Sequence, residues 1–119
     1  MNLLLLAVLA ANPPPVPVPL PTTTPEERGQ IRVLEALQLP GSTTFKLEYT
    51  NTSGRELEKV RLECMMLDPR GDVVNTDATY VKSAKPGAVE VLKLKVTDML
   101  QRAVRAECRI AFAREHEAT

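Results

Sequence analysis

The chain has 119 residues with 15 basic and 15 acidic side chains, so its formal net charge is zero; 44% of residues are apolar, 3% are aromatic and none is tryptophan. Zero net charge removes the general attraction that a basic surface has for nucleic acid. The aromatics are Phe45, Tyr49, Tyr80 and Phe112, most of them at core positions by spacing, which leaves few rings for stacking bases.

From the N-terminus, Met1-Asn2 leads into the uncharged apolar run Leu3–Ala11. The run is about half of the ~20 residues that span a bilayer. It fits a secretory signal peptide over residues 1–11, with Val8-x-Ala10 as the small-residue cleavage site, although the usual basic n-region is missing. A retained anchor or a core segment is the alternative. The leader predicts a periplasmic or secreted protein that meets the membrane only transiently. Residues 12–29 follow as a Pro-rich linker, with seven of the ten prolines between Asn12 and Pro25. Proline fixes φ and lacks the donor N–H, so this stretch reads as an extended, semi-rigid spacer rather than helix or sheet.

Gln30–Leu39 places Ile31, Val33, Leu37 and Leu39 on one parity and reads as a first strand, ended by Pro40-Gly41. Thr44–Thr50 alternates cleanly, with Phe45, Leu47 and Tyr49 opposite Lys46 and Glu48. A polar hinge, Asn51-Thr52-Ser53-Gly54, separates it from Leu57–Leu67, where Val60, Leu62, Cys64 and Met66 share one face and Lys59, Arg61, Glu63, Met65 and Leu67 the other. Asp68-Pro69-Arg70-Gly71 has the residues of a type I turn, with Pro second and Gly fourth. Asp72–Val81 is a less regular strand; Val89–Val96 sets Leu92, Leu94 and Val96 against Lys93 and Lys95. Thr97–Arg102 suggests one helical turn capped by Thr97 or Asp98. Ala103–Ala113 then turns Ala106, Cys108, Ile110 and Phe112 inward. Strands at this spacing, with turn signals between them, predict an all-β antiparallel sandwich of about six to seven strands over residues 30–114, and a disordered tail over 115–119.

The run from Phe45 to Lys85-Pro86-Gly87 resembles the bacterial FxLYD-type domains and related immunoglobulin-like extracytoplasmic modules. The matching elements are Asn51-Thr52-Ser53-Gly54, Leu57-Glu58-Lys59-Val60, Leu67-Asp68-Pro69-Arg70-Gly71 and Pro86-Gly87. Met66-Leu67 stand where that family tends to have aromatics before the turn Asp. The resemblance implies an exported immunoglobulin-like sandwich and carries over no catalytic residue.

Cys64 and Cys108 are the only cysteines, each mid-strand on the core parity. They predict a disulfide, either across the sandwich or between neighbouring strands, and an export signal would put them where disulfides persist. Two buried thiols packing as small hydrophobes are the alternative. Cys64, Met65, Met66, Met99, Cys108 and His116 are soft donors suited to copper(I), but Met65 and Met66 must point to opposite faces, so methionines filling an aromatic-poor core is the simpler reading. His116 is flanked by glutamates, with no Ser or Cys at triad spacing, and no glycine loop could cradle a phosphate. The sequence therefore predicts a protein that is not an enzyme and carries no cofactor or resident metal. It reads as an interaction or structural module of the cell envelope, with another envelope protein as partner and no nucleic acid. A periplasmic ligand or copper carrier is the alternative. Met65 and Leu67, apolar on the nominally wet face of their strand, are the expected interaction surface.

Overall fold

The computed structural model describes residues 19–24 and 26–117; the leader and most of the proline run lie outside the described residues. Seven strands form: β1 (Thr22–Thr23), β2 (Gln30–Leu39), β3 (Ser42–Thr50), β4 (Leu57–Leu67), β5 (Val73–Ala84), β6 (Val89–Thr97) and β7 (Arg105–Glu115). They make two sheets, a four-stranded one in the order β1-β7-β4-β5 and a three-stranded one in the order β2-β3-β6. Two hairpins, β2–β3 and β4–β5, each stay within a sheet, while the other long connections cross between layers. The pairing is antiparallel except at β1, which runs parallel to β7 with Thr22 opposite Glu107.

The core between the layers is aliphatic, as the composition requires: Leu47, Val60, Leu62, Met66, Val81 and Val96 are buried with Phe45 and Tyr49. Alternation decides this wherever it is unbroken. Phe45, Leu47 and Tyr49 pair with Leu94, Leu92 and Glu90 on β6, so that the aliphatic halves of both strands face the second sheet.

Where alternation breaks, the expectation fails. The β2–β3 register slips between Val33 and Glu35. An added residue turns every later side chain over. Ile31 and Val33 face inward as expected, but Ala36 takes the next inward place, and Leu37 and Leu39 face solvent, 49% and 45% exposed. A second slip, between Arg61 and Leu62 of β4 against β7, places Ala111 as the extra residue. Ala106, Cys108 and Ile110 are buried, whereas Phe112, expected in the core, is 48% exposed.

The described part of the segment read as spacer, residues 19–24 and 26–29, already belongs to the fold. Besides β1, Glu26 bridges Gly29, Arg28 pairs with Glu26 and donates to the Ile110 carbonyl at 3.0 Å, and the Tyr49 hydroxyl donates to the Arg28 carbonyl at 2.9 Å. Gly29, at φ 152°, lies so close to the Tyr49 ring that a Cβ there would collide with it. No helical turn forms after β6. The Asp98 carboxylate instead accepts the Arg102 and Ala103 amides at 3.1 and 3.0 Å, a cap without a helix, with Gln101 at φ 51°. At the other hairpin, Gly71 N–H donates to Asp68 O at 2.9 Å, closing the expected four-residue turn.

Candidate interaction face

The outer face of the four-stranded sheet carries the densest side-chain chemistry of the described residues. Arg61, Glu63 and Met65 point outward from β4, opposite the buried Leu62, Cys64 and Met66. Arg61 lies in register with Tyr80 on β5 and with Phe112 on β7, so one row reads Tyr80–Arg61–Phe112 across three strands. Neighbouring strands are about 4.8 Å apart, which sets the two rings roughly 10 Å from each other at the backbone. Tyr80 and Phe112 are 54% and 48% exposed.

Arg61 holds this row together. Its Nη1 donates to the Tyr80 hydroxyl at 2.6 Å, and its guanidinium carbon lies 5.6 Å from the Tyr80 ring centroid, within cation–π range. It also approaches Glu63 at 3.5 Å. The hydrogen bond to Tyr80 and then the Glu63 carboxylate push the guanidinium further above its already high range. In the next row the Glu63 carboxylate, nearly buried, accepts two bonds from Arg109 at 2.9 and 3.2 Å. Arg105 and Glu107 pair at 2.6 Å beyond it. The face thus carries charges of both signs and is pre-ordered, with two rings standing out of it.

Met65, expected here, lies in register with Thr76 and Glu107 and is half-buried. Leu67 is not part of the surface. It is 5% exposed, sits where the β4–β5 register slips, and its carbonyl accepts the Val104 amide at 2.8 Å. The sequence reading missed Tyr80 and Phe112. Ile110-Ala111-Phe112-Ala113 contains no polar residue to mark which parity is wet.

At the far end of this face the C-terminal stretch, read as a disordered tail over 115–119, is held in place at Glu115 and His116; residues 118–119 lie outside the described residues. β7 extends through Glu115, the His116 amide donates to Glu56 O at 2.9 Å, and Arg55 pairs with Glu115 at 3.1 Å. Glu58 pairs with Arg114, and His116 Nδ1 lies 3.1 Å from Glu58. The Glu58 hydrogen bond, and then the Glu56 charge, raise His116 above its ordinary range, while His116 and Arg114 hold Glu58 below the usual carboxylate range. A raised imidazole stabilises the fold fully below its unfolded value and loses that contribution as pH rises through the folded one. A lowered carboxylate contributes above its unfolded value and loses it as pH falls through the folded one. The clamp's contribution is therefore full between the two unfolded values, 4.5 for the carboxylate and 6.5 for the imidazole, and is lost beyond the two folded ones. The His116 proton resonances will titrate above the ordinary histidine midpoint of about 6.5 in the native protein and lower in the Glu58→Gln variant, where the Glu56 charge remains. Equal midpoints would dissolve the clamp.

Cys64 and Cys108 are directly opposed on β4 and β7 and form a disulfide, with Sγ–Sγ 2.08 Å and Cα–Cα 4.1 Å. The bond joins neighbouring strands of one sheet rather than the two layers. It also takes both thiols out of any soft-metal set. Met66 is buried beside the bond, Met65 faces the other way, and Met99 and His116 lie at opposite ends of the sandwich. Among the described residues no three His, Cys, Asp or Glu side chains are grouped to hold a metal ion.

Comparison of the chain with protein-family models, with curated proteins and with solved structures finds no match.

Proposed function

We propose that the protein is an exported, non-enzymatic interaction module of the cell envelope that binds another envelope protein through the Tyr80–Arg61–Phe112 face. The observation that carries this reading is the row itself, two half-exposed rings on either side of an ordered arginine. Tyr, Phe, Met and Arg are the residues enriched in protein interfaces, and Tyr and Arg dominate their energetics. Sheet positions hold these groups rigidly, so little side-chain freedom is lost when a partner arrives. The mixed charges around the row favour a partner with interleaved charges of its own over a strongly charged polymer.

Export rests on the apolar leader and on the disulfide, which suits an oxidising compartment. Kinship with the FxLYD-type modules rests on the turn residues alone. Asn51, central to that pattern, is bound up in the architecture of the loops, so the pattern speaks for the fold more than for a ligand.

The test is capture from envelope extract on immobilised protein, with the Tyr80→Ala/Phe112→Ala double variant beside the wild type. Hot-spot truncations cost about 2 kcal/mol or more, so recovery of the specific partner should fall at least tenfold while the thermal transition stays in place. A partner retained equally by both proteins would exclude this face.

A further inference from the structure

β5 and β7 flank β4, so the Tyr80 and Phe112 side chains rise from the sheet about 10 Å apart with Arg61 between them. A polyproline II helix advances about 3.1 Å per residue with three residues per turn, so positions i and i+3 share a face about 9.3 Å apart. A segment in that conformation, laid across the three strands, sets i on one ring and i+3 on the other. An extended strand repeats a face every ~6.7 Å, which falls short of the second ring. An α-helix comes close at i and i+7, about 10.5 Å, but its carbonyls are spent internally. The polar groups of the row are donors. Arg61 has five N–H groups and no acceptor; one N–H goes to Tyr80, and Glu63 is no nearer than 3.5 Å, so donors remain on a side chain that is 37% exposed. The Tyr80 hydroxyl already accepts from Arg61 and keeps its own hydrogen to donate. Polyproline II makes no internal hydrogen bonds, and proline has a carbonyl but no N–H, so a proline-rich segment presents acceptors almost alone. The adjacent pairs, Glu63 with Arg109 and Arg105 with Glu107, are closed among themselves, so an uncharged ligand breaks no ion pair.

This chain carries such a segment. Pro13-Pro14-Pro15-Val16-Pro17-Val18 is apolar and uncharged, with prolines at i and i+3 in Pro14 and Pro17. It does not reach its own row. β1 runs parallel to β7 with Thr22 opposite Glu107, so the chain enters β1 from the side away from Phe112. Phe112 lies about 15 Å farther along β7 from Glu107, allowing for the extra residue at Ala111. The five residues from Pro17 to Thr22 span at most about 18 Å when pulled straight. Pro17 could meet Phe112 only if all of them ran straight towards it, whereas β1 fixes the opposite heading.

We propose that the row receives the proline-rich stretch of a second copy of this chain, with Pro14 and Pro17 packed on the two rings and Arg61 and Tyr80 donating to the carbonyls between them. This rests on the reading of the row as a protein-binding face and takes the bound protein to be a second copy. The test is sedimentation velocity of the full chain over a concentration series. The wild type should associate as concentration rises. Tyr80→Ala/Phe112→Ala and Pro14→Ala/Pro17→Ala should each weaken association at least tenfold with an unchanged thermal transition. Mixed in equal amounts, the two variants should pair again, because each keeps the half that the other lacks. A wild type that stays monomeric, or a mixture that stays unpaired, would overturn the proposal. So would a Pro14→Ala/Pro17→Ala protein that associates like the wild type; the leader is present in every variant, and association that it drives alone gives this last result. If capture from envelope extract still depends on Tyr80 and Phe112 after such an outcome, the row binds a different protein and only the present proposal falls. If capture does not depend on them, the protein-binding face falls with it.

Discussion

Cys64→Ala/Cys108→Ala will lower unfolding stability by about 2–4 kcal/mol. The bond fixes β4 to β7 in register and closes a loop of sequence separation 44, so its loss returns freedom chiefly to the unfolded chain. Both side chains are buried among Leu62, Met66 and Ala106, and two alanines leave little void there, so packing adds a smaller increment. Urea titration of the oxidised wild type and of the variant will show an earlier midpoint for the variant. The slope will rise as well, because an uncrosslinked chain exposes more surface when unfolded. Coincident curves would mean that the unfolded chain is already confined by other means.

Asn51→Ala will have an effect of the same order, about 2–4 kcal/mol, from a residue without charge or reactivity. The Asn51 amide nitrogen donates to Arg55 O at 2.8 Å and Ala84 O at 2.9 Å, and its oxygen accepts Ser53 N–H at 3.0 Å and Ser53 Oγ–H at 2.6 Å. Its backbone is also tied to the β5–β6 loop, donating to Ala88 O at 2.9 Å and accepting from Gly87 N–H at 2.8 Å. The side chain is 1% exposed, so alanine leaves carbonyls without a donor in a place that water reaches poorly. Asn51→Asp separates the terms. It keeps the acceptor for Ser53 but sets a carboxylate against the Arg55 and Ala84 carbonyls, and it should melt no higher than the alanine variant. For a domain of this size the expected loss lowers the transition by roughly 10–25 °C. A variant melting with the wild type would show that the loops hold one another without this hub.

Much of the fold was legible because period-two alternation is a direct record of which side of a strand is wet. β3, β6 and the middle of β4 keep it without interruption, and their inward residues are the ones expected. What was not legible arises where the backbone departs from that period. A bulge leaves no residue-type signature in Val33-Leu34-Glu35 or in Ile110-Ala111-Phe112, yet it turns Leu37, Leu39 and Phe112 outward. β1 was missed because two threonines after a proline run form a strand only when β7 presents an edge to them. The turn chemistry at Asp68–Gly71 and the pairing of two core-parity cysteines could be read directly, the first from local sterics and the second from position. The candidate face could be read only in part. Met65 was visible as an apolar residue among charges, whereas Tyr80 and Phe112 needed the register to bring them to Arg61.

The disulfide joins strands within a sheet, and this has a mechanical consequence. Under a pull applied through the chain termini, tension passes from Cys64 to Cys108 through the sulfurs and bypasses everything between them. β5, β6 and the Met99-Leu100 turn are shielded from the load, and about 150 Å of contour cannot be drawn out until the bond is reduced. With the bond intact, a chain pulled by its ends is thus of limited extensibility, and it lengthens on exposure to a reductant.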